Sequence, residues 1–245
     1  MFDVVSMPLD EPTFDDVAAL CAEAFSNSNL YGYLLRNDEQ RRVLSLHWRF
    51  LVYLSNLKTW QAQGKLTSTG STNNALYGIY DAENRLVCVS VWVPPTCQWD
   101  QQKWSQYVAE FELKCKSELT HSNGAAVHDR FEVVDAYFAD DPPVTTTHYY
   151  LLLLATAKEY RGKSAGLATK LLNHCIATFV DPAGMGVYLD CDSAALSTHF
   201  YAKNFGFQLV KTGILEERPN DDAHKEACPQ TAVTIHFCER PPKHV

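Results

Sequence analysis

The stretch that most constrains the fold of this chain is 148–191. It opens with HYYLLLLAT (148–156), an apolar run without alternation, which reads as a strand buried on both faces or as a short core helix. The Pro-rich break before it, DDPP (140–143), and the loop after it favour a strand. Leu167, Leu171, Cys175 and Phe179 then recur every four residues, the mark of an amphipathic helix. DPAGMG (181–186) ends that helix, and VYLDC (187–191) reads as another strand. Strand, loop, helix and strand make a parallel βαβ unit, right-handed by rule.

The rest of the chain must extend that unit into a sheet. Residues 3–7 read as a first strand, and Pro12-Thr13 as a helix opening, with Thr13 as the cap and Asp16 three residues on. Val17, Leu20, Cys21 and Ala24 form its inner stripe, and Asn27-Ser28-Asn29 its end. Val43, Leu46, Phe50, Leu54 and Leu57 predict a long helix over 38–61. Strands at 76–80 and 86–93 are joined as a hairpin through Asp81–Arg85. Two further helices are expected, one on Trp104, Tyr107, Phe111, Cys115 and Leu119, the other on Val127, Phe131, Val134 and Phe138. A short helix at 195–204, a strand at 206–210, a polar loop at 216–230 and a strand at 232–237 complete the chain. The expectation is one domain over 1–245, an α/β (α+β) mixed sheet flanked by helices.

With 245 residues, 46% of them apolar, the chain can bury a sizeable core. The net charge of −8, with no Lys/Arg run, argues against a nucleic-acid partner. The longest strongly apolar run, Tyr149–Ala155, is too short to span a bilayer, and MFDVVSMPLDEP at the start lacks the pattern of a targeting segment. The eight cysteines are scattered without a C-x-x-C pair, as free buried thiols are. These features predict a cytoplasmic protein with no membrane partner and no metal.

AKEYRGKS (157–164) is one residue short of the phosphate-cradling G-x-x-x-x-G-K-S loop. VYLD (187–190) even imitates the strand whose Asp binds Mg²⁺ in such proteins. Against a nucleotide-binding or kinase reading, the first position is Ala157, the motif lies late in the chain, and nothing before 148 repeats the βαβ pattern. The alternative places the phosphate contact in RGKSAG, Arg161–Gly166. A helix starting just after it presents unpaired first-turn N–H groups and a positive dipole end to an anion. Gly162 and Gly166 permit close backbone approach, and Arg161 and Lys163 add charge at the rim.

ATAKEYRGKSAGLATKLL (155–172) followed by VYLDCDSAALSTHFYAKNFGF (187–207) resembles the GNAT N-acetyltransferase superfamily. The family's Q/R-x-x-G-x-G/A signature corresponds to Arg161, Ser164 and Gly166, and its aromatic-Tyr…Gly-Phe phrase to Phe200, Tyr201, Gly206 and Phe207. The resemblance is close over roughly 145–240. The helix ending in DDPP and the leucine-rich strand after it are similar to the puromycin N-acetyltransferase-like branch. Ser164 departs from the usual central Gly, and Ala194 stands where the family often has Asn.

The resemblance implies acetyl-CoA as cosubstrate. Leu154, Ala155 and Thr156 would pair with its pantetheine arm, and Arg161, Gly162, Lys163, Ser164, Ala165, Gly166 and Leu167 would hold its pyrophosphate. A splay between 148–156 and 187–191 would admit the thioester, and a backbone N–H near Leu153 or Leu154 would polarise its carbonyl. Tyr201 would be the general acid toward the leaving thiolate. For the base, Asp190, Asp192, His148 and a water relay stay open, with Asp190 preferred. Cys191, in an apolar strand without an activating partner, is not expected to carry the acetyl group.

The expected function is transfer of acetyl to a primary amine of a small molecule, by direct attack in a ternary complex. The helices and the insertion over about 10–140 would wall the acceptor site, and association as a homodimer is compatible with the sequence. Asp129, Arg130, Glu132 and Asp135 read as a solvated face, while the acidic loop of Glu216, Glu217, Asp221, Asp222 and Glu226 either attracts a cationic acceptor or only keeps the loop in water. The rival readings are a nucleotide-binding protein or kinase, and a GNAT fold that binds CoA without turnover.

Overall fold

The computed structural model describes residues 2–35, 39–66, 75–97, 147–162, 166–216 and 232–243. The helices expected within 104–138 with their charged face (Asp129, Arg130, Glu132, Asp135), the acidic residues at 217–226, and Lys163, Ser164 and Ala165 lie outside the described residues. Seven strands form one sheet: β1 (Val4–Ser6), β2 (Leu76–Tyr80), β3 (Leu86–Val93), β4 (His148–Thr156), β5 (Gly186–Cys191), β6 (Gln208–Glu216) and β7 (Ala232–Arg240), in the order β1-β2-β3-β4-β5-β7-β6. Every neighbouring pair is antiparallel except β4 with β5. A phosphate-loop nucleotide fold needs a parallel sheet, so this order removes that reading. The helices are α1 (Glu11–Phe25), α2 (Asn29–Leu35), α3 (Glu39–Ala62), α4 (Leu167–Cys175, widening into a π-turn at Ile176–Val180) and α5 (a π-helical Leu196–Ala202 running into Lys203–Phe205). Among the described residues, no helix is long and apolar enough to cross a membrane.

α1 starts earlier than the sequence suggests. Its cap is Asp10, whose Oδ1 accepts from the Thr13 N–H at 3.0 Å, so Thr13 is a donor inside the first turn and not the cap. Hydrogen bonding from the Thr13 hydroxyl, and then from its N–H, holds the Asp10 carboxyl below its usual pKa. Pro12 sits in the same turn, where a missing N–H costs nothing. The segment expected only to end α1 also starts α2: the Ser28 hydroxyl accepts from the Tyr31 N–H at 3.1 Å. α2 then buries Tyr31 to Leu35 in succession, a pattern with no helical period to read.

β4 is not a strand buried on both faces throughout. Fully buried and half-buried residues alternate along it. A β-bulge explains why the sequence hides this. Leu153 pairs with Val91 and Leu151 with Trp92, leaving Leu152 as the extra residue. Residues paired across strands share a face. Tyr149 and Leu151 therefore face the α4 side with Trp92, while beyond the bulge Leu154 and Thr156 face it, opposite Ser90 and Cys88. One inserted residue switches the phase of the strand, so the leucines read as a continuous run.

The core between sheet and α4 centres on Phe179 in the π-turn. Its ring lies 5.5 Å from Tyr77 (stacked), 5.2 Å from Trp92 and 5.0 Å from Tyr149 (both edge-to-face). The polar atoms beneath it are satisfied: Trp92 Nε1–H donates to Ser90 Oγ at 2.9 Å, and Ser90 Oγ lies 3.7 Å from Cys175 Sγ. Truncating this hub removes three aromatic contacts and leaves a cavity. Phe179→Ala is expected to lower the unfolding free energy by about 3–5 kcal/mol in urea titrations. A loss below about 1 kcal/mol would show that the four rings do not act as a unit.

Candidate active site

The parallel pairing of β4 with β5 covers only His148↔Gly186, Tyr149↔Val187 and Tyr150↔Tyr188. Past Tyr150, β4 continues against β3, and past Tyr188, β5 continues against β7. The two strands thus part, and among the described residues Leu151–Thr156 have no sheet partner on the β5 side. The bulge at Leu152 lies just inside this opening. Leu154, Ala155 and Thr156 form its β4 edge, and Leu189, Asp190 and Cys191 its β5 edge.

At the far end of β4 the chain turns through a short 3₁₀ helix, Lys158–Tyr160, and reaches Arg161. The exposed Arg161 guanidinium is hydrogen-bonded to two backbone carbonyls of the chain. Its Nε–H donates to the Thr156 carbonyl at 2.8 Å, and Nη2 donates to the Ala24 carbonyl at 3.0 Å, in the last turn of α1. A cation there suits the negative end of that helix. Arg161 therefore ties the loop to β4 and α1. Gly162 (φ 65°) and Gly166 (φ 52°) both adopt the left-handed backbone that favours glycine. Among the described residues, a Cβ at either position would meet nothing within 4 Å, so the space beside each is open there. Gly166 caps α4 without a side chain, and the first intrahelical bond runs from the Lys170 N–H to the Gly166 carbonyl. The first turn, beginning with buried Leu167, presents its N–H groups to that space.

Tyr201 is buried in α5, 4.9 Å from the Phe200 ring and 5.6 Å from the Phe207 ring. Gly206, left-handed at φ 74°, ends the helix, and the Phe207 N–H returns to the Tyr201 carbonyl at 3.4 Å. The Tyr-x-x-x-x-Gly-Phe phrase is thus a helix stop that fixes the tyrosine. Burial raises the Tyr201 pKa, and nearby Cys191, Asp190 and Cys238 raise it further. The phenol is held protonated. Ala194 accepts the Thr198 hydroxyl at its carbonyl, 2.8 Å, inside the same helical segment.

Asp190 projects from the opposite face of β5 to Cys191. Tyr188 and, across the strand pair, Tyr150 share its face. The Tyr150 hydroxyl donates to Asp190 Oδ1 at 2.5 Å. Asp190 is half-buried. Burial pushes its pKa up to about 6, the Tyr150 hydrogen bond pulls against that shift, and neighbouring Asp192 adds to it. The other sequence candidates for a base are differently employed. Asp192 Oδ2 accepts from the Leu30 N–H at 2.8 Å and so anchors the first turn of α2. His148 stands at the paired end of β4, its ring 5.5 Å from Tyr188. Cys191 donates to the Ser193 carbonyl at 3.6 Å, and its contact with Cys238 and its burial both raise its pKa, as befits an unreactive thiol. Sequence reasoning missed Tyr150 and the α2 wall around Tyr31; the only advance signal for α2 was Ser28 before a buried run.

A carboxylate whose folded pKa is raised opposes folding once it ionises. With the unfolded value near 3.8 and the folded value about 6, that cost is absent below pH 4 and complete above pH 7. Asp190→Asn keeps an acceptor for Tyr150 and removes the charge. It is expected to raise stability at pH 8 by about 1–3 kcal/mol and to change it little at pH 4, read from paired urea titrations. Equal effects at both pH values would contradict the raised value.

The acetyltransferase (GNAT) family model matches residues 124–207. No curated protein matches in sequence. Solved structures similar along the whole chain include the histone acetyltransferase HPA2 and related acetyltransferase from Corynebacterium glutamicum, at 18% identity and TM-score 0.53, covering 100% of this chain and 98% of that one. The polyamine N-acetyltransferase of Drosophila melanogaster is similar at 15% identity and TM-score 0.53, covering 98% and 99%. Arylalkylamine N-acetyltransferase 2 from Aedes aegypti is similar at 13% identity and TM-score 0.51, covering 98% of each. This chain therefore has the fold of the GNAT acetyltransferases, and its residues 124–207 carry that family's sequence pattern.

Proposed function

We propose that the protein is an acetyl-CoA-dependent N-acetyltransferase acting on a primary amine of a small molecule. The observation that carries this reading is the parting of β4 from β5 after Tyr150↔Tyr188, with a protonated phenol and a carboxylate of raised pKa near its two faces. The free β4 edge at Leu154, Ala155 and Thr156 offers backbone groups to a pantetheine arm, as an added strand would use them. The open first turn of α4, with Gly162 and Gly166 before it, fits a pyrophosphate. Lys163, Ser164, Ala165 and Leu167 belong to the same loop and helix start, and Arg161 holds that loop in place. A N–H of β4 at Leu153 or Leu154, next to the bulge, is the donor for the thioester carbonyl.

The amine attacks the thioester directly while both are bound. Its proton passes to Asp190, a base whose pKa lies near neutrality, and the sulfur leaves toward Tyr201, which donates or shares its proton. Asp190 and Tyr201 sit on opposite sides of β5, so base and acid do not compete for one site. The aromatic and acidic side chains on the Asp190 face suit a cationic acceptor; the neighbours whose names specify polyamines and arylalkylamines are of the same class. We treat 1–245 as one domain. The puromycin N-acetyltransferase-like affinity rests on DDPP, outside the described residues, and on the leucine-rich strand. The six described cysteines are all free, which fits a cytoplasmic setting.

The class of reaction is tested by ligand stabilisation. Acetyl-CoA at 100 times its Kd adds about 2.7 kcal/mol, a shift in Tm that ATP·Mg²⁺ does not reproduce. A shift with ATP·Mg²⁺ alone would sink the reading. The role of Tyr201 is tested by Tyr201→Phe, which keeps the ring. The expected result is a fall in kcat of roughly 10²-fold with little change in the KM for acetyl-CoA. An unchanged kcat, measured where chemistry limits turnover, would leave Tyr201 as a core aromatic.

A further inference from the structure

The shortest polar contact facing the opening joins two residues that are 40 positions apart: Tyr150 on β4 and Asp190 on β5. Tyr150 is also the last β4 residue paired with β5, and Asp190 lies two residues beyond its partner Tyr188, on the same face. The phenol therefore reaches diagonally forward across the point where the strands part. Resting on the acetyltransferase reading, we propose that Tyr150 is the positioning residue of the base: its hydroxyl fixes Asp190 Oδ1 at the root of the opening and keeps the carboxylate ionised, leaving Oδ2 to take the proton of the incoming amine.

The chemistry follows from which atoms are occupied. Tyr150 donates its only hydroxyl proton to Oδ1, and burial and Asp190 itself raise the phenol's pKa, so it stays protonated throughout. One N–H bond of the acceptor ammonium breaks and its proton bonds to Oδ2; the freed lone pair forms the C–N bond as the carbonyl π pair moves onto oxygen, its return breaks the C–S bond, the thiolate takes the Tyr201 proton, and the surplus proton on the amide nitrogen returns to the Tyr201 phenolate. Tyr150 is unchanged at the end of the step. A charge-assisted bond of 2.5 Å also removes rotational freedom from the side chain that takes the proton.

The titratable and charged groups around the pair come from each neighbouring element. Tyr188 lies on β5, with Cys191 and Asp192 after it. Tyr31 lies on α2, and Tyr53 and Arg49 on α3, with Arg49 set over the Tyr53 ring at 5.1 Å. Tyr201 on α5 and Cys238 on β7 lie across β5, on its other face, while His148 is turned onto Tyr188. The Tyr150 hydroxyl donates to the Asp190 side chain, and the backbone N–H of Asp190 supports the same carboxylate more weakly. A hydrogen bond to the ionised form lowers a carboxyl pKa, so losing it moves Asp190 upward.

The test is Tyr150→Phe in the full chain, with acetyl-CoA and agmatine, tyramine and spermidine as acceptor probes and release of CoA thiol followed from pH 5 to 9. The acidic limb of kcat is expected near pH 6 in the unmutated protein and higher by at least about half a unit in the variant. The plateau kcat falls about tenfold, and the KM for acetyl-CoA stays within twofold, which also shows that the variant is folded. A limb that does not move, with kcat within twofold, overturns the proposal while leaving the acetyltransferase reading intact. If the unmutated protein releases no thiol with any amine, that reading falls and the proposal with it. A second measurement needs no variant. In the unmutated protein the ¹³Cζ resonance of Tyr150 should titrate together with the carboxyl carbon of Asp190, and independent titrations would overturn the pairing.

Discussion

The structure depends on where two parallel strands stop bonding to each other. Three residue pairs join β4 to β5, and then each strand follows its other neighbour. A sheet left open in mid-plane would expose unsatisfied backbone on both edges, which is costly unless something else uses those groups. Here the antiparallel partners β3 and β7 keep each strand rigid on its outer side. Among the described residues the opening is therefore a gap between two strands that are each paired on their outer side, closed at the Tyr150 end.

That gap divides the chemistry by face. Strand alternation sends Asp190 to the side covered by α2 and α3, and Cys191 to the side covered by α5, where Tyr201 is buried. Low polarity on both sides penalises charge, yet it acts oppositely in usefulness. The phenol becomes a firmer proton holder and the carboxyl a stronger proton acceptor, because each is displaced from its value in water by the same burial.

Local rules made much of this legible. The helix starting at Leu167 follows from four-residue spacing, and Gly206 takes the left-handed conformation that its place at a helix C-terminus calls for. Strands β2 and β3 and the hairpin between them read directly. What stayed hidden depends on distance or on phase. The Tyr150–Asp190 bond joins residues separated by a whole βαβ unit, and no spacing rule reaches that far. The charge of Arg161 is visible in sequence, whereas the carbonyls of Thr156 and Ala24 that accept its hydrogen bonds are not. α2 carries five buried residues in a row, so periodicity gave it no outline.

The extra residue at Leu152 works as a reading-frame shift within one strand. Counting by twos from Tyr149 reaches Leu151 on the α4 side, but the same count carried onward lands on Leu153, which faces away from α4. The strand is two short rulers laid end to end, offset by one division. Any insertion or deletion between Leu151 and Leu153 would realign the rulers, exchanging the residues that face the gap with those that face the core along one half of β4. Substitutions at 152 leave the offset in place, so this position tolerates changes of side chain far better than changes of length.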